Sequence, residues 1–397
     1  MLSNSWKYIP GDEFCLNVTD GTHDSPKQSE HGKPLITSKH IKGDEIDFAT
    51  AYLISEQDFH EINKRSKVDQ WDVIISMIGA YCGFCFIECN EDIDYAVKNV
   101  GLFKAGSEVN AKWLYYYLNS PIGRAHLDAA KSGSTQPYIA LGALRNLPIL
   151  TPTNNDVKKK IVGVLDAIDT KIRVNNRINA ELEAMTKTLY DYWFVQFDFP
   201  DANGKPYKTS GGKMVYNPVL KREIPEGWEA VSVGKIVDIK TGKEDANYAT
   251  KSGKYHFFTC GESALKCDDF VFEGKAVLLA GNGSFSVKRY EGKFNAYQRT
   301  YVLIPKQDDL FAPLYFAAND KIKTLTSGSR GSIVKFITKG DIEDIYIPLP
   351  TSRKLSFVET LNACFSKSSR LYEQNLELVL LRDWLLPMLM NGQVTVE

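Results

Sequence analysis

From residue 154 to residue 197 the apolar side chains fall four and three positions apart: Ile161, Leu165, Ile168 and Ile172, then Ile178, Leu182, Met185 and Leu189. That alternation lays one apolar stripe along a long helix, as in a coiled coil. The step from 172 to 178 breaks the phase, and a stutter accounts for it. About 44 residues at about 1.5 Å each give roughly 65 Å of helix. Residues 352–392 repeat the stripe. Leu165, Ile168, Asn179, Leu182, Met185 and Leu189 recur as Leu361, Cys364, Asn375, Leu378, Leu381 and Leu385, each 196 positions later. A one-sided helix is marginal alone in water, so the two are expected to pack antiparallel, with a pseudo-two-fold relation between the halves. Asn179 and Asn375 either lie on the seam, where a buried amide fixes register, or face solvent.

The preceding segments also correspond. Ser132-Gly133-Ser134-Thr135-Gln136 runs into Leu147-Pro148-Ile149-Leu150-Thr151-Pro152, and Ser327-Gly328-Ser329-Arg330-Gly331 runs into Ile345-Tyr346-Ile347-Pro348-Leu349-Pro350. Trp6 and Trp228 open the halves, and Asp20-Gly21 and Thr241-Gly242 mark a turn in each. Asp72–Ile78 and Val97–Phe103 read as strands, Lys112–Asn119 and Ile122–Lys131 as short helices. The expected class is α+β: two similar β-rich domains, residues 1–152 and 200–350, joined by two long antiparallel coiled-coil helices, residues 153–199 and 351–397. A repeat this long means tandem domains rather than a solenoid.

Composition sharpens this picture. The chain has 397 residues and 43% hydrophobic content, enough for more than one core. No apolar run reaches the roughly 20 residues of a membrane span, the N-terminus lacks a secretory signal, and seven cysteines point to a reducing cytoplasm. Cys82, Cys85 and Cys89 lack the second ligand pair of a zinc site, so they read as free thiols in an apolar strand. Lys and Arg number 48 against 49 Asp and Glu. Residues 1–94 carry 8 basic and 17 acidic side chains, whereas residues 95–152 carry 6 and 2, and residues 200–350 carry 22 and 18. A phosphate-binding face in the first half therefore belongs to residues 95–152. A near-neutral chain needs a partner to hold a polyanion tightly.

Catalytic signatures are missing. There is no phosphate-binding P-loop. Asn217-Pro218-Val219-Leu220 fails at the third position of an amino-methyltransferase box, and Gly79–Gly83 and Gly281–Gly283 lack dinucleotide-loop spacing. Five of the six His precede residue 127, so no His, acid and nucleophile recur together in both halves. His23 and His40 read as surface or turn residues.

With those residues in view, the chain resembles the specificity subunit of type I restriction–modification systems over essentially its whole length. The resemblance is carried by Asp20-Gly21-Thr22-His23 with Gly32–Thr37, by Val164–Asp169 through Asn175–Asn179, by Phe197-Asp198-Phe199-Pro200 on to Gly227-Trp228, and by Leu381–Pro387 with Met390-Asn391-Gly392. It implies a non-catalytic reader of double-stranded DNA whose two domains each take half of a split, asymmetric site. It also implies helices that set the spacer and dock two methyltransferase (modification) subunits, and a restriction/translocase subunit. S-adenosylmethionine would sit on the modification subunit, ATP and Mg on the restriction subunit, and no cofactor on this chain. The competing function class is a DNA methyltransferase or nuclease with unrecognised motifs. A structural coiled-coil scaffold is a third.

No base code transfers within such a family, so DNA contacts are argued from chemistry. Ser-Gly-Ser loops offer N–H and hydroxyl groups to phosphate, which selects Ser132, Gly133, Ser134, Thr135 and Gln136, and Ser327, Gly328, Ser329 and Arg330 with Lys335. Lys98-Asn99 and Gln298-Arg299 hold similar places in the two halves and carry side chains that read base edges. Leu165, Ile168, Leu182, Met185, Leu189, Leu361, Leu378, Leu381 and Leu385 are the candidates for the seam and the partner surface. Tyr115, Tyr116, Tyr315 and Phe316 read as core.

Overall fold

The computed structural model describes residues 5–43, 45–327, 336–352, 356–394 and 396, with the backbone alone at 325–327 and 356. The chain is α+β and divides into two compact units, Met1–Ile172 with Leu376–Glu397, and Arg173–Asn375. Both divisions fall inside long helices, so each unit holds one β-rich domain and a stretch of each helix.

In the first unit, β1 (Trp6–Ile9) pairs antiparallel with β8 (Ile149–Pro152), tying the start of the domain to the approach to its helix. A four-stranded sheet follows the order β2 (Asn17–Asp20), β7 (Val100–Lys104), β4 (Asp72–Ser76), β5 (Cys85–Ile87). Beside it, β3 (Lys33–Thr37) lies between Leu53–Ile54 and β6 (Ala96–Lys98). The apolar run of β4 is wholly buried because side chains alternate across a strand. Val73 and Ile75 join the core under α2 (Glu108–Asn119), with Trp113 and Tyr117, while Ile74 joins Ile36, Ile41 and Val97 on the opposite face. The Ser107 hydroxyl caps α2, and the Ser120 hydroxyl caps α3 (Pro121–Ala130) with Pro121 in its first turn, the positions these residues favour. The single strand expected over 97–103 is two strands. Asn99, at φ 55°, turns the chain from the parallel pairing of β6 to the antiparallel pairing of β7. Asn tolerates that left-handed conformation better than a β-branched residue does.

The second unit repeats the frame. Strand β9 (Trp228–Ser232) pairs with β16 (Tyr346–Pro350) as β1 does with β8. One six-stranded sheet then runs β10 (Val237–Thr241), β15 (Thr300–Pro305), β13 (Phe272–Ala280), β14 (Val287–Ala296), β11 (Tyr255–Phe258), β12 (Leu265–Cys267). Strands β11 and β14 are parallel, as β3 and β6 are. The long hairpin β13–β14 unites in one sheet what the first unit keeps as two. Helix α5 (Phe311–Ser327) packs on it, burying Leu314 and Phe316, the latter against Tyr190.

The two long helices are α4 (Asn155–Tyr190), closed by a π-turn at Asp191–Val195, and α6 (Ser356–Met390). Within the first unit, Ile161, Val162 and Leu165 share a core with Leu386, Leu389 and Met390, and Asp169 pairs with Arg382 at 3.0 Å. Within the second, Asn175 meets Asn375, whereas Tyr190 and Phe194 share a core with Val358, Leu361 and Phe365. Rising numbers on α4 meet falling numbers on α6 in both units, so the pairing is antiparallel.

The stutter is not present. On α4 the shielded positions Ile161, Leu165, Ile168, Ile172, Asn175, Asn179, Leu182, Thr186 and Leu189 form an unbroken four–three series in which Ile161, Leu165, Ile168, Asn175 and Thr186 are buried, with Val162 and Tyr190 buried beside it. Ile178 and Met185 are exposed, as is Leu381 on α6. Counting only apolar residues misread the phase, because the seam is filled at 175, 179 and 186 by polar side chains. Asn175 Nδ2 donates to Asn375 Oδ1 (2.8 Å) and Gln374 Oε1 (2.9 Å), and Asn375 Nδ2 donates to Asn176 Oδ1 (2.7 Å). Thr186 Oγ1 donates to the Leu182 carbonyl within its own helix. Of the other seam candidates, Leu165, Ile168 and Leu361 are buried, and Leu182, Leu189, Leu378 and Leu385 are half-buried.

Cys82 and Cys85 are buried, and burial pushes the Cys85 thiol up to about 11. Cys89 is exposed, outside the apolar strand. Among the described residues no cluster of His, Cys, Asp or Glu could hold a metal ion, and no helix is long and apolar enough to cross a membrane.

Candidate nucleic-acid interface

One end of the central sheet gathers three connections whose backbone bonds match between the two domains among the described residues. In the first domain the chain leaving β2 passes under the end of β6. The Thr22 strand end bridges to Lys98, Asn99 N–H donates to the Thr22 carbonyl, and Gly21 N–H to that of Val100. In the second, Glu244 bridges to Tyr297, Gln298 N–H donates to the Glu244 carbonyl, and Gly242 N–H to that of Thr300. A side chain at Gly21 or Gly242 would drive a Cβ into the carbonyl of Val97 or Ala296, so both turns require glycine. The third connection follows the central strand. Ile139 N–H donates to the Met77 carbonyl (2.9 Å), as Ile337 N–H does to that of Gly281 (2.8 Å). In the first domain a fourth is the segment leading into Ile139, where Ser132-Gly133-Ser134 lies.

The sequence candidates of the first domain meet here. Ser132 pairs with Tyr138, making Gly133-Ser134-Thr135-Gln136 the exposed tip of a hairpin. The Gln136 amide lies beside Gly79 in the connection after β4. The Ser38 hydroxyl donates to the Asn99 carbonyl (2.7 Å) and accepts from Met77 N–H (3.2 Å), joining the base-reading candidates to that connection. Lys98 Nζ donates to Ser25 Oγ. In the second domain, Gln298 and Arg299 are exposed, and neither side chain has a hydrogen-bond partner among the described residues. Ser327 closes α5, unlike Ser132, which sits in a hairpin strand. Gly328, Ser329, Arg330 and Lys335 lie outside the described residues.

Sequence reasoning missed one cluster. Asp20, at the end of β2, is buried, and its two carboxylate oxygens accept from Arg65 and from His23 Nε2 (2.9 Å), while His23 Nδ1 faces Asn99 Oδ1 at 3.1 Å. Arg65 comes from the last turn of α1 (Glu56–Ser66). His23 is exposed, as its reading as a surface or turn residue expects, and its ring is held on this face by Asp20 and Asn99. No sequence signal links positions 45 residues apart. His40, the other residue read as surface or turn, sits in the single 3-10 turn Ser38–His40 and is fully buried, and burial lowers its pKa. In the second domain Lys288 reaches the Thr259 and Gly261 carbonyls, and burial lowers its pKa as well. Of the aromatic pairs read as core, Tyr116 and Phe316 are buried and Tyr115 and Tyr315 half-buried, with the Arg289 guanidinium over the Tyr315 ring. A cleft of about 550 Å³ elsewhere on the first domain is lined by Glu45, Glu88, Asp92 and Asp94 with Phe48, Phe86 and Tyr95. Its carboxylates would repel phosphate.

Comparison with known proteins agrees with this two-fold plan. The family model for the type I restriction modification DNA specificity domain matches twice, over residues 25–184 and 225–364. The type I restriction enzyme EcoDI specificity subunit of Escherichia coli is 41% identical over 183 residues, 44% of this chain and 40% of that relative. The chain therefore matches well under half the length of that relative. The type I restriction enzyme MjaIX specificity subunit of Methanocaldococcus jannaschii is 25% identical over 313 residues, 73% of this chain and 70% of that protein. In fold, the chain is similar to the crystal structure of a type I restriction–modification S subunit from M. genitalium, with a TM-score of 0.63 at 15% identity, covering 98% of this chain and 96% of that one. The chain belongs to the type I restriction–modification DNA specificity family.

Proposed function

We propose, from that membership, that the chain is the sequence-reading subunit of a type I restriction–modification complex and supplies recognition rather than chemistry. Residues 1–152 and 200–350 each read one half of a bipartite double-stranded DNA site. Residues 153–199 and 351–397 set the unread spacer and dock two modification subunits, which carry S-adenosylmethionine. A restriction/translocase subunit brings ATP and Mg, and the complex works in the cytoplasm.

The observation that carries this reading is the repetition of the sheet end. Gly21 and Gly242 allow the same close approach, and each delivers polar side chains to the same place, Lys98-Asn99 in one domain and Gln298-Arg299 in the other. The scaffold is alike and the side chains differ, as reading two unlike half-sites requires. Docking is supported by exposed apolar side chains on the helices: Val174, Ile178 and Met185 on α4, and Leu380, Leu381 and Trp384 on α6. Exposed apolar side chains on each helix suit an interaction surface.

Gel shifts with a bipartite target test the function. The chain with its modification subunit should bind specifically, while the chain alone should bind weakly and lose that binding steeply with salt. Calorimetric titration of the chain alone with S-adenosylmethionine should give no heat of binding. Binding there would favour an enzyme instead.

A further inference from the structure

We infer that Arg65, held by the buried carboxylate of Asp20, reads a guanine in the half-site taken by the first domain; the inference rests on the DNA-reading function proposed above. The Asp20 side chain is 5% exposed, whereas its partners Arg65 and His23 remain 61% and 63% exposed. A carboxylate buried at the rim of a domain is costly unless paired, and an exposed arginine adds little stability by pairing with it. The arrangement instead fixes the direction of an outward-facing guanidinium. Arginine has five N–H donors, and only the bond to Asp20 engages them among the described residues. A free, oriented edge therefore remains, and a planar fork fits the O6 and N7 acceptors that guanine presents in the major groove.

The rest of the cluster serves that placement. His23 occupies the second Asp20 oxygen and contacts Asn99, so the guanidinium shares a rim with Lys98 and Asn99. Gly21, next to Asp20, locks the strand end under β6. In the second domain the position before the matching Gly242 is Thr241, which cannot anchor an arginine in this way. The device belongs to one domain, as a specificity element should. Asp20 and His23 are positioning residues, and Arg65 is the one that touches the base.

The test uses the assembled complex with its modification subunits. The methylated motif is mapped for the wild-type chain, Arg65→Ala, Arg65→Lys, Asp20→Asn and Arg299→Ala, with melting curves for each. Arg65→Ala should lower discrimination at one G·C pair by about tenfold or more and leave the remaining positions of both half-sites unchanged. Arg65→Lys should fail at the same pair, because lysine keeps the charge but lacks the fork. Asp20→Asn should relax that pair while still methylating the rest of the motif, a pattern that general loss of structure would not produce. Arg299→Ala should affect the opposite half-site. An unchanged motif in Arg65→Ala, or a loss spread evenly over every base, overturns the guanine assignment and leaves the two-domain reading standing. A wild-type complex that methylates no bipartite motif overturns both.

Discussion

The two repeats share a frame and differ in what they hang on it. Strands β1 with β8 and β9 with β16 close each domain in the same way, and Gly21 and Gly242 make the same turn. The edges differ. The first domain splits its strands between two sheets, anchors Arg65 through Asp20, and buries an acid, Asp72, against Lys104. The corresponding positions in the second domain, one step beyond the Val277–Leu303 pair, are Ala276 and Ile304, and the sheet is continuous. Positions fixed by backbone approach are retained, and positions that face outward or fill a local niche have diverged. The seam shows the same contrast. Leu165 and Leu361 are buried equivalents, while Met185 and Leu381 are exposed equivalents on the same helices.

Charge on the helices separates the two roles most forcefully. Leu361→Asp would bury an unpaired carboxylate and should destabilise the second unit by about 3–5 kcal/mol, seen as a large loss in chemical denaturation. Met185→Asp with Leu381→Asp should leave denaturation unchanged but abolish a complex with modification subunits, as followed by light scattering. A normal complex from the double variant would remove those side chains from the docking surface.

The polar seam comes next. Asn375→Ala takes a partner from Asn175 and a donor from Asn176, and should cost about 1–3 kcal/mol. Replacing Asn175 and Asn375 together by Leu should recover most of that loss, since the position equivalent to Asn175 is already Leu371. Failure to recover would mean that the amides fix the helix register. Arg299→Ala should weaken use of one half-site by about 1–3 kcal/mol and leave the melting temperature alone, because the side chain is exposed. Methylation assays on single-base variants of the target measure it.

The smallest effect is confined to the first domain. Burial raises the Asp72 carboxyl to about 6, against opposing hydrogen bonds from Asp69 N–H and Lys104. A carboxyl raised on folding binds its proton more tightly in the native state, so its contribution to stability is lost as pH rises from about 4 to about 6. Asp72→Asn should therefore cost less stability at pH 7 than at pH 4.5. Equal costs at both would show that Asp72 keeps its ordinary affinity for protons.

The features legible in the sequence were those written in spacing. The helices, the Asp20-Gly21 and Thr241-Gly242 turns and the Ser132–Gln136 loop depend on residues close in sequence, and the 196-residue offset is the recurrence of those local patterns. Apolar spacing alone gives the wrong seam phase because polar Asn175, Asn179 and Thr186 occupy seam positions. The burial of Asn175 becomes sensible only once the facing helix supplies Asn375 and Gln374, and Thr186 satisfies its hydroxyl on the Leu182 carbonyl of its own helix. The Asp20–Arg65 contact was invisible for a similar reason. It exists only because α1 folds back over the end of β2, and neither residue carries a local mark of that.

The central claim is that each repeat reads its own half-site on a common frame. The direct measurement is methylome sequencing of a host carrying the modification subunit and a chain in which residues 1–152 are exchanged for the equivalent domain of a relative. The account predicts a methylated motif with one half replaced and the other half unchanged. A motif altered in both halves, or in neither, would contradict it.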